Sequence, residues 1–180
     1  MGQYVALLRG INVGGKNKVP MADLREAFEA DGLTGARTYI ASGNVLFETS
    51  GPPEQLERRI EALIERRFGL PIVVAVRSEA ALRAVVESAP DGFGAKPDRF
   101  HSDVIFLRGP LTPARAMKVV RLRDGVDQAW KGRGVLYFAR LSAQRTKSRM
   151  SSIVGTPEYA DMTIRSWKTT VKLVELLDQA

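Results

Sequence analysis

ALLRGINVGGKNKVP, residues 6–20, decides how the chain opens. Gly10 to Lys16 has the G-x-x-x-x-G-K spacing of a loop that cradles nucleotide phosphates. Such a loop needs its helix to start at the lysine, so that backbone amides face the phosphate. It also needs Ser or Thr next, to hold magnesium, and this chain has Asn17. Pro20 suits a first helical position and moves the helix start downstream. The stretch therefore reads as a glycine-rich corner between a strand, Tyr4 to Arg9, and a helix bearing Met21, Leu24 and Phe28 on one face.

Reading onward, Arg37 to Ala41 and Val45 to Glu48 are predicted strands about a turn at Ser42-Gly43-Asn44. Leu56, Ile60, Leu63 and Ile64 make an amphipathic helix that Gly69 ends, and Pro71 to Val76 is a strand. The order is βαββαβ, the split unit with helices on one face of an antiparallel sheet. Ser78 caps a connecting helix, and residues 89–101, rich in Pro, Gly and Asp, read as a linker. The order then repeats. Asp103 to Arg108 is a strand, and Thr112-Pro113 opens a helix. Val126 to Trp130 and Val135 to Arg140 flank a turn at residues 131–134. Residues 145–154 form a helix, Met162 to Ser166 a strand, and Lys168 to Leu177 a final helix. The echo of LLRG (7–10) in FLRG (106–109), each ending an opening strand, points to an internal duplication. The predicted fold class is α+β, with two ferredoxin-like α/β-plait units in tandem and a C-terminal helix. The expected divisions are 1–77, a connecting helix and linker over 78–101, and 102–180.

This topology brings the end of the first strand beside the Ser-Gly-Asn turn. Arg9, Asn12, Gly14, Gly15, Lys16, Asn17, Ser42, Gly43 and Asn44 then form a candidate ligand site, with Lys18 adding charge. Glycines free backbone N–H groups for an anion-binding concavity. They equally permit the positive φ of a plain turn, with the asparagines capping it. In the second unit the same geometry sets Arg108 beside Lys131 and Arg133, with Arg145, Lys147 and Arg149 near in sequence.

Net charge is +7, and the excess lies wholly in residues 91–180. From Arg115 to Arg149 only Asp124 and Asp127 oppose a run of basic residues. That asymmetry suits an anionic partner, although arginine-rich composition explains it too. Cysteine is absent, which removes disulfides and thiolate chemistry and agrees with a reducing cytoplasm. No apolar run approaches the ~18 residues of a membrane span, and no secretory signal opens the chain, so no membrane partner is expected. His101 is the sole histidine, so no multi-histidine metal centre exists. His101-Ser102-Asp103 fails as a triad because neighbours on a strand alternate in direction. His101 reads as a strand-edge residue without an identifiable partner. Glu54, Glu57, Glu61 and Glu65, interleaved with arginines, read as a salt-bridged outer helix face. KGRGVLYFAR (131–140) matches an RNA-recognition strand only at Arg133, Gly134 and Tyr137.

ALLRGINVGGKNKVPMADLR together with TYIASGNVLFE resembles the bacterial domain of unknown function family 1697. The resemblance runs to about Glu48 and resumes in the tail. It implies two α/β-plait units in one chain and carries no established activity. The family's Arg-Gly-Ile-Asn-Val-Gly-Gly falls on Arg9 to Gly15 and its Ser-Gly-Asn on Ser42 to Asn44. Its tail run Arg-Asn-Trp-Asn-Thr is represented by Arg165, Ser166, Trp167, Lys168 and Thr169, so two asparagines are replaced and the tail gains charge. Three functions follow as expectations. The first is binding of an anionic, phosphate-bearing ligand, with nucleic acid favoured over a metabolite. The second is an enzyme acting on a phosphorylated small molecule, its catalytic residues unassigned. The third is a structural or regulatory module. No cofactor is implied by any motif.

Overall fold

The computed structural model describes residues 1–180 and has an α+β architecture of two four-stranded antiparallel sheets with helices. Contacts divide it into two units, Met1–Leu82 with Leu173–Ala180, and Arg83–Lys172. No helix is long and apolar enough to cross a membrane.

In the first unit the chain runs β1 (Gly2–Leu8), α1 (Met21–Ala30), β2 (Thr34–Tyr39), β3 (Asn44–Thr49), α2 (Pro53–Phe68) and β4 (Val74–Ser78), and α3 (Glu79–Glu87) follows. The sheet order is β2-β3-β1-β4, with β1 central and antiparallel to both neighbours. Side chains alternate across a strand. Ala6, Leu8, Val45, Phe47, Val74 and Val76 thus share one face, packed against Leu24 and Phe28 of α1 and Leu56, Ile60 and Ile64 of α2. Burying each large side chain contributes about 1.5–3 kcal/mol.

Two glutamates of α2, Glu57 and Glu61, depart from the expected outer face, while Glu54 and Glu65 are exposed on it. Glu57 is buried, and its Oε1 accepts the N–H of Val76 at 3.0 Å. One turn on, Glu61 Oε1 accepts the N–H of Val74 at 2.9 Å. β4 is an edge strand with unpaired donors, and the i, i+4 spacing of α2 lays two carboxylates along it. β2 also ends earlier than expected, because Ile40 adopts φ 52° and leaves the strand.

In the second unit β5 (Phe100–Leu107), α4 (Pro113–Val119), β6 (Asp127–Lys131), β7 (Val135–Leu141) and β8 (Met162–Ser166) precede α5 (Trp167–Asp178). The order is β6-β7-β5-β8. Thr112 Oγ1 accepts the N–H of Arg115 at 3.2 Å, the expected cap of α4. The helix expected at 145–154 is absent. Three 3-10 turns stand there, Ser142–Lys147, Met150–Gly155 and Pro157–Asp161. Gly155 and Pro157 are poor helix formers, and Asp127 Oδ2 draws off the N–H of Arg149 at 2.9 Å. Met150 and Ile153 still reach the core beside Ile105, Leu136 and Phe138.

Candidate functional site

The glycine corner is built by its asparagines. β1 ends with the N–H of Leu8 donating to Gly43 O at 2.8 Å, and Arg9 N–H donates to Val73 O at 2.9 Å. Gly10, at φ 78°, turns the chain, and Ile11 is fully buried as the anchor. Asn12 then clasps both sides of the loop. Its Nδ2 donates to Val19 O at 2.9 Å and to Ala41 O at 2.8 Å, while its Oδ1 accepts Val19 N–H at 2.8 Å. Asn17 Nδ2 donates to Gly10 O at 2.9 Å, and Asn12 N–H donates to Asn17 O at 3.0 Å. Asn12 and Asn17 hold positive φ (52° and 50°), which asparagine tolerates better than most residues. Between them Lys16 N–H closes a tight turn onto Val13 O at 3.0 Å. Gly14 (φ 58°) and Gly15 (φ 73°) fill the two central positions, where such turns require positive φ.

The β2–β3 loop forms the other wall. Gly43 lies so close to β1 that a Cβ there would sit 2.8 Å from Ile11 Cδ1 and 2.9 Å from Leu8 Cβ. Asn44 is fully buried, and its Nδ2 donates to Tyr39 O at 2.9 Å and, more weakly, to Ser42 Oγ at 3.4 Å. The two segments are thus neighbours, joined by Asn12 and Gly43. Their amide side chains hold the corner together. The N–H groups of Gly14 and Gly15 stay outside this network and make no hydrogen bond within the protein. Val13 to Lys18 are all exposed, and no acidic residue occurs from Arg9 to Ala22 or from Tyr39 to Phe47. The corner presents two backbone donors and the ammonium groups of Lys16 and Lys18, a combination suited to an anion. α1 starts at Met21, well past Lys16, so no helix terminus faces this turn as a nucleotide phosphate loop would require.

In the second unit Leu107 N–H donates to Gly134 O at 3.0 Å and Arg108 N–H to Asp161 O at 2.9 Å. Arg108 therefore lies beside the turn that carries exposed Lys131 and Arg133. Arg145 and Lys147 belong to the first 3-10 turn and Arg149 precedes the second, toward the His101 end of β5. Arg165 is only partly exposed. Burial pushes its pKa down to about 10, and its Nη1 donates to Ile164 O at 2.9 Å. Trp167 packs over Gly94, where a Cβ would overlap its indole ring, and meets Phe93 edge-on at 5.1 Å. Phe93 also meets Trp130 at 5.9 Å and Tyr137 at 5.3 Å. Ser166 Oγ caps α5 by accepting Thr169 N–H at 3.2 Å, while Lys168 is exposed.

His101 has the partner its sequence context did not reveal. Residues two apart on a strand share a face, so its Nε2 lies 3.3 Å from Asp103 Oδ2. Arg140, opposite His101 on β7, brings Nη2 to 3.8 Å from the same oxygen. Burial raises the Asp103 pKa above its ordinary value, and His101, Arg140 and Arg145 pull it partly back. Ser102 faces the other way, so no triad forms.

These elements define a two-sheet α+β protein with a clasped glycine corner at the end of a central strand. Residues 1–137 match the family described as "Protein of unknown function (DUF1697)", and the chain belongs to that family. A solved structure of the conserved bacterial protein SP0830 from Streptococcus pneumoniae is similar over 98% of this chain and 98% of its own, with TM-score 0.83 and 27% sequence identity. No curated protein matches the chain.

Proposed function

We propose that the glycine corner binds an anionic, phosphate-bearing ligand and that this ligand is nucleic acid. One observation carries the reading. The Gly14 and Gly15 amides, unused within the protein, stand on a turn clasped by Asn12 and Asn17, beside Lys16 and Lys18, in segments without an acidic residue. A basic second half, with Arg108 and Arg133 at one end of its sheet, favours an extended polyanion over a small metabolite. Absence of cysteine supports a reducing, cytoplasmic setting.

The fold is read further as a tandem of ferredoxin-like units that arose by duplication. Pairing registers support this. Tyr4 faces Ser78 and Val5 faces Arg77 in one sheet, while Asp103 faces Ser166 and Val104 faces Arg165 in the other. Each arginine donates to the preceding carbonyl, and each serine caps the helix that follows.

The test is binding of a fluorescent single-stranded oligonucleotide across a salt series. Each neutralised phosphate contributes about −0.7 to the slope of log affinity against log salt for single strands. The Lys16→Ala/Lys18→Ala variant is expected to bind about tenfold more weakly, with a slope shallower by about 1.4. Wild-type binding that ignores salt, or a variant indistinguishable from wild type, overturns the assignment.

A further inference from the structure

Two apolar residues at the corner keep at least half of their surface exposed. Val13 is 59% exposed and Ile40 is 50% exposed. Ile40 also holds φ 52°, a conformation that β-branched residues almost never adopt. Glycine or asparagine would fit that bend with less strain, and isoleucine there still leaves half of the residue exposed. Strain kept at a half-exposed apolar residue points to a contact made with something else. The Asn12–Ala41 hydrogen bond ties the neighbours of Val13 and Ile40 together, so both residues flank the turn that carries Gly14 and Gly15. Tyr39, the last residue of β2 and next to Ile40 in the chain, is partly buried.

We infer that this rim receives an unstacked base of single-stranded nucleic acid, whose adjoining phosphate sits on the Gly14–Gly15 amides and the two lysines. The inference rests on the function proposed above and names its ligand. Charge complementarity selects a polyanion, since the two segments that form the corner carry cations and no acidic residue. Openness selects a polymer, because Val13 to Lys18 are all exposed and a mononucleotide needs a concave pocket that encloses most of its surface. Apolar and aromatic groups beside phosphate donors select a single strand, whose splayed bases offer faces that a duplex keeps stacked.

The experiment compares single-stranded oligouridine with linear inorganic polyphosphate, which has the charge and no base. Ile40→Asn and Val13→Thr are each expected to weaken oligouridine binding about fivefold to tenfold and to leave polyphosphate binding unchanged. Ile40→Asn relieves backbone strain, and a melting temperature at or above that of wild type separates lost binding from lost folding. Equal losses for both probes, or no loss for oligouridine, overturn the base contact. Tighter binding of a duplex than of its separated strands overturns it as well. If wild type binds polyphosphate as tightly as oligouridine, the base contact fails and the anion seat stands. If wild type binds neither probe, the proposed function fails with it.

Discussion

Gly43 and Ile40 stand three residues apart and are under opposite pressures. At Gly43 the backbone holds φ 93° and passes within contact of Ile11 and Leu8, so only glycine fits. Gly43→Ala combines a forbidden φ with overpacking and is expected to destabilise by about 3 kcal/mol, read from urea unfolding. At Ile40 the left-handed backbone disfavours the native residue, and Ile40→Asn is expected to raise stability by about 1 kcal/mol in the same assay. The Asp103 carboxyl offers a third test. Its folded pKa lies above the unfolded value of about 3.9, so its contribution is full below that value and declines as pH rises through the raised pKa. Wild type should therefore lose stability relative to Asp103→Asn across that window, and a pH-independent difference between the two would contradict it. The proximity of the glycine corner to Ser42-Gly43-Asn44 followed from topology alone. The Asn12 clasp did not, because its partner Ala41 is set by tertiary packing and leaves no local pattern.

Elements were legible where periodicity governs them and obscure where a tertiary hydrogen bond does. The apolar positions of α2 fixed its length and its buried stripe, and Thr112-Pro113 marked the start of α4. Glu57 looked solvated among arginines, since sequence does not show that β4 passes beside α2 with open donors. Glu57→Ala leaves the Val76 N–H without its acceptor and is expected to cost about 2 kcal/mol, visible also as faster exchange of that amide. Residues 145–154 misled for the converse reason. Their apolar residues Met150 and Ile153 are three apart, a spacing common to α and 3-10 geometry, and the Asp127 carboxylate that holds Arg149 comes from a distant strand. Hydrogen exchange should separate the two segments, with amides of 142–161 exchanging well before those of α2.

At the scale of the whole molecule the chain does not finish one unit before starting the next. Leu173–Ala180 group with Met1–Leu82, after residues 83–172 have formed the second unit. Leu173 is fully buried and Leu177 nearly so, and Arg37 Nη2 donates to Leu176 O at 3.2 Å. The last turns of α5 therefore belong energetically with β1–β4, although sequence periodicity shows only that one helix face is apolar. Leu177→Ala should remove about 2–5 kcal/mol from that unit. The expected signature is selective, with amide protection falling in β1 and β3 and persisting in β5 and β7. Leu136→Ala, buried in the second unit, should show the reverse. Should both variants lower protection evenly across all strands, the two contact units would fold as one cooperative body. The tail would then stabilise the entire chain rather than the sheet that carries the glycine corner.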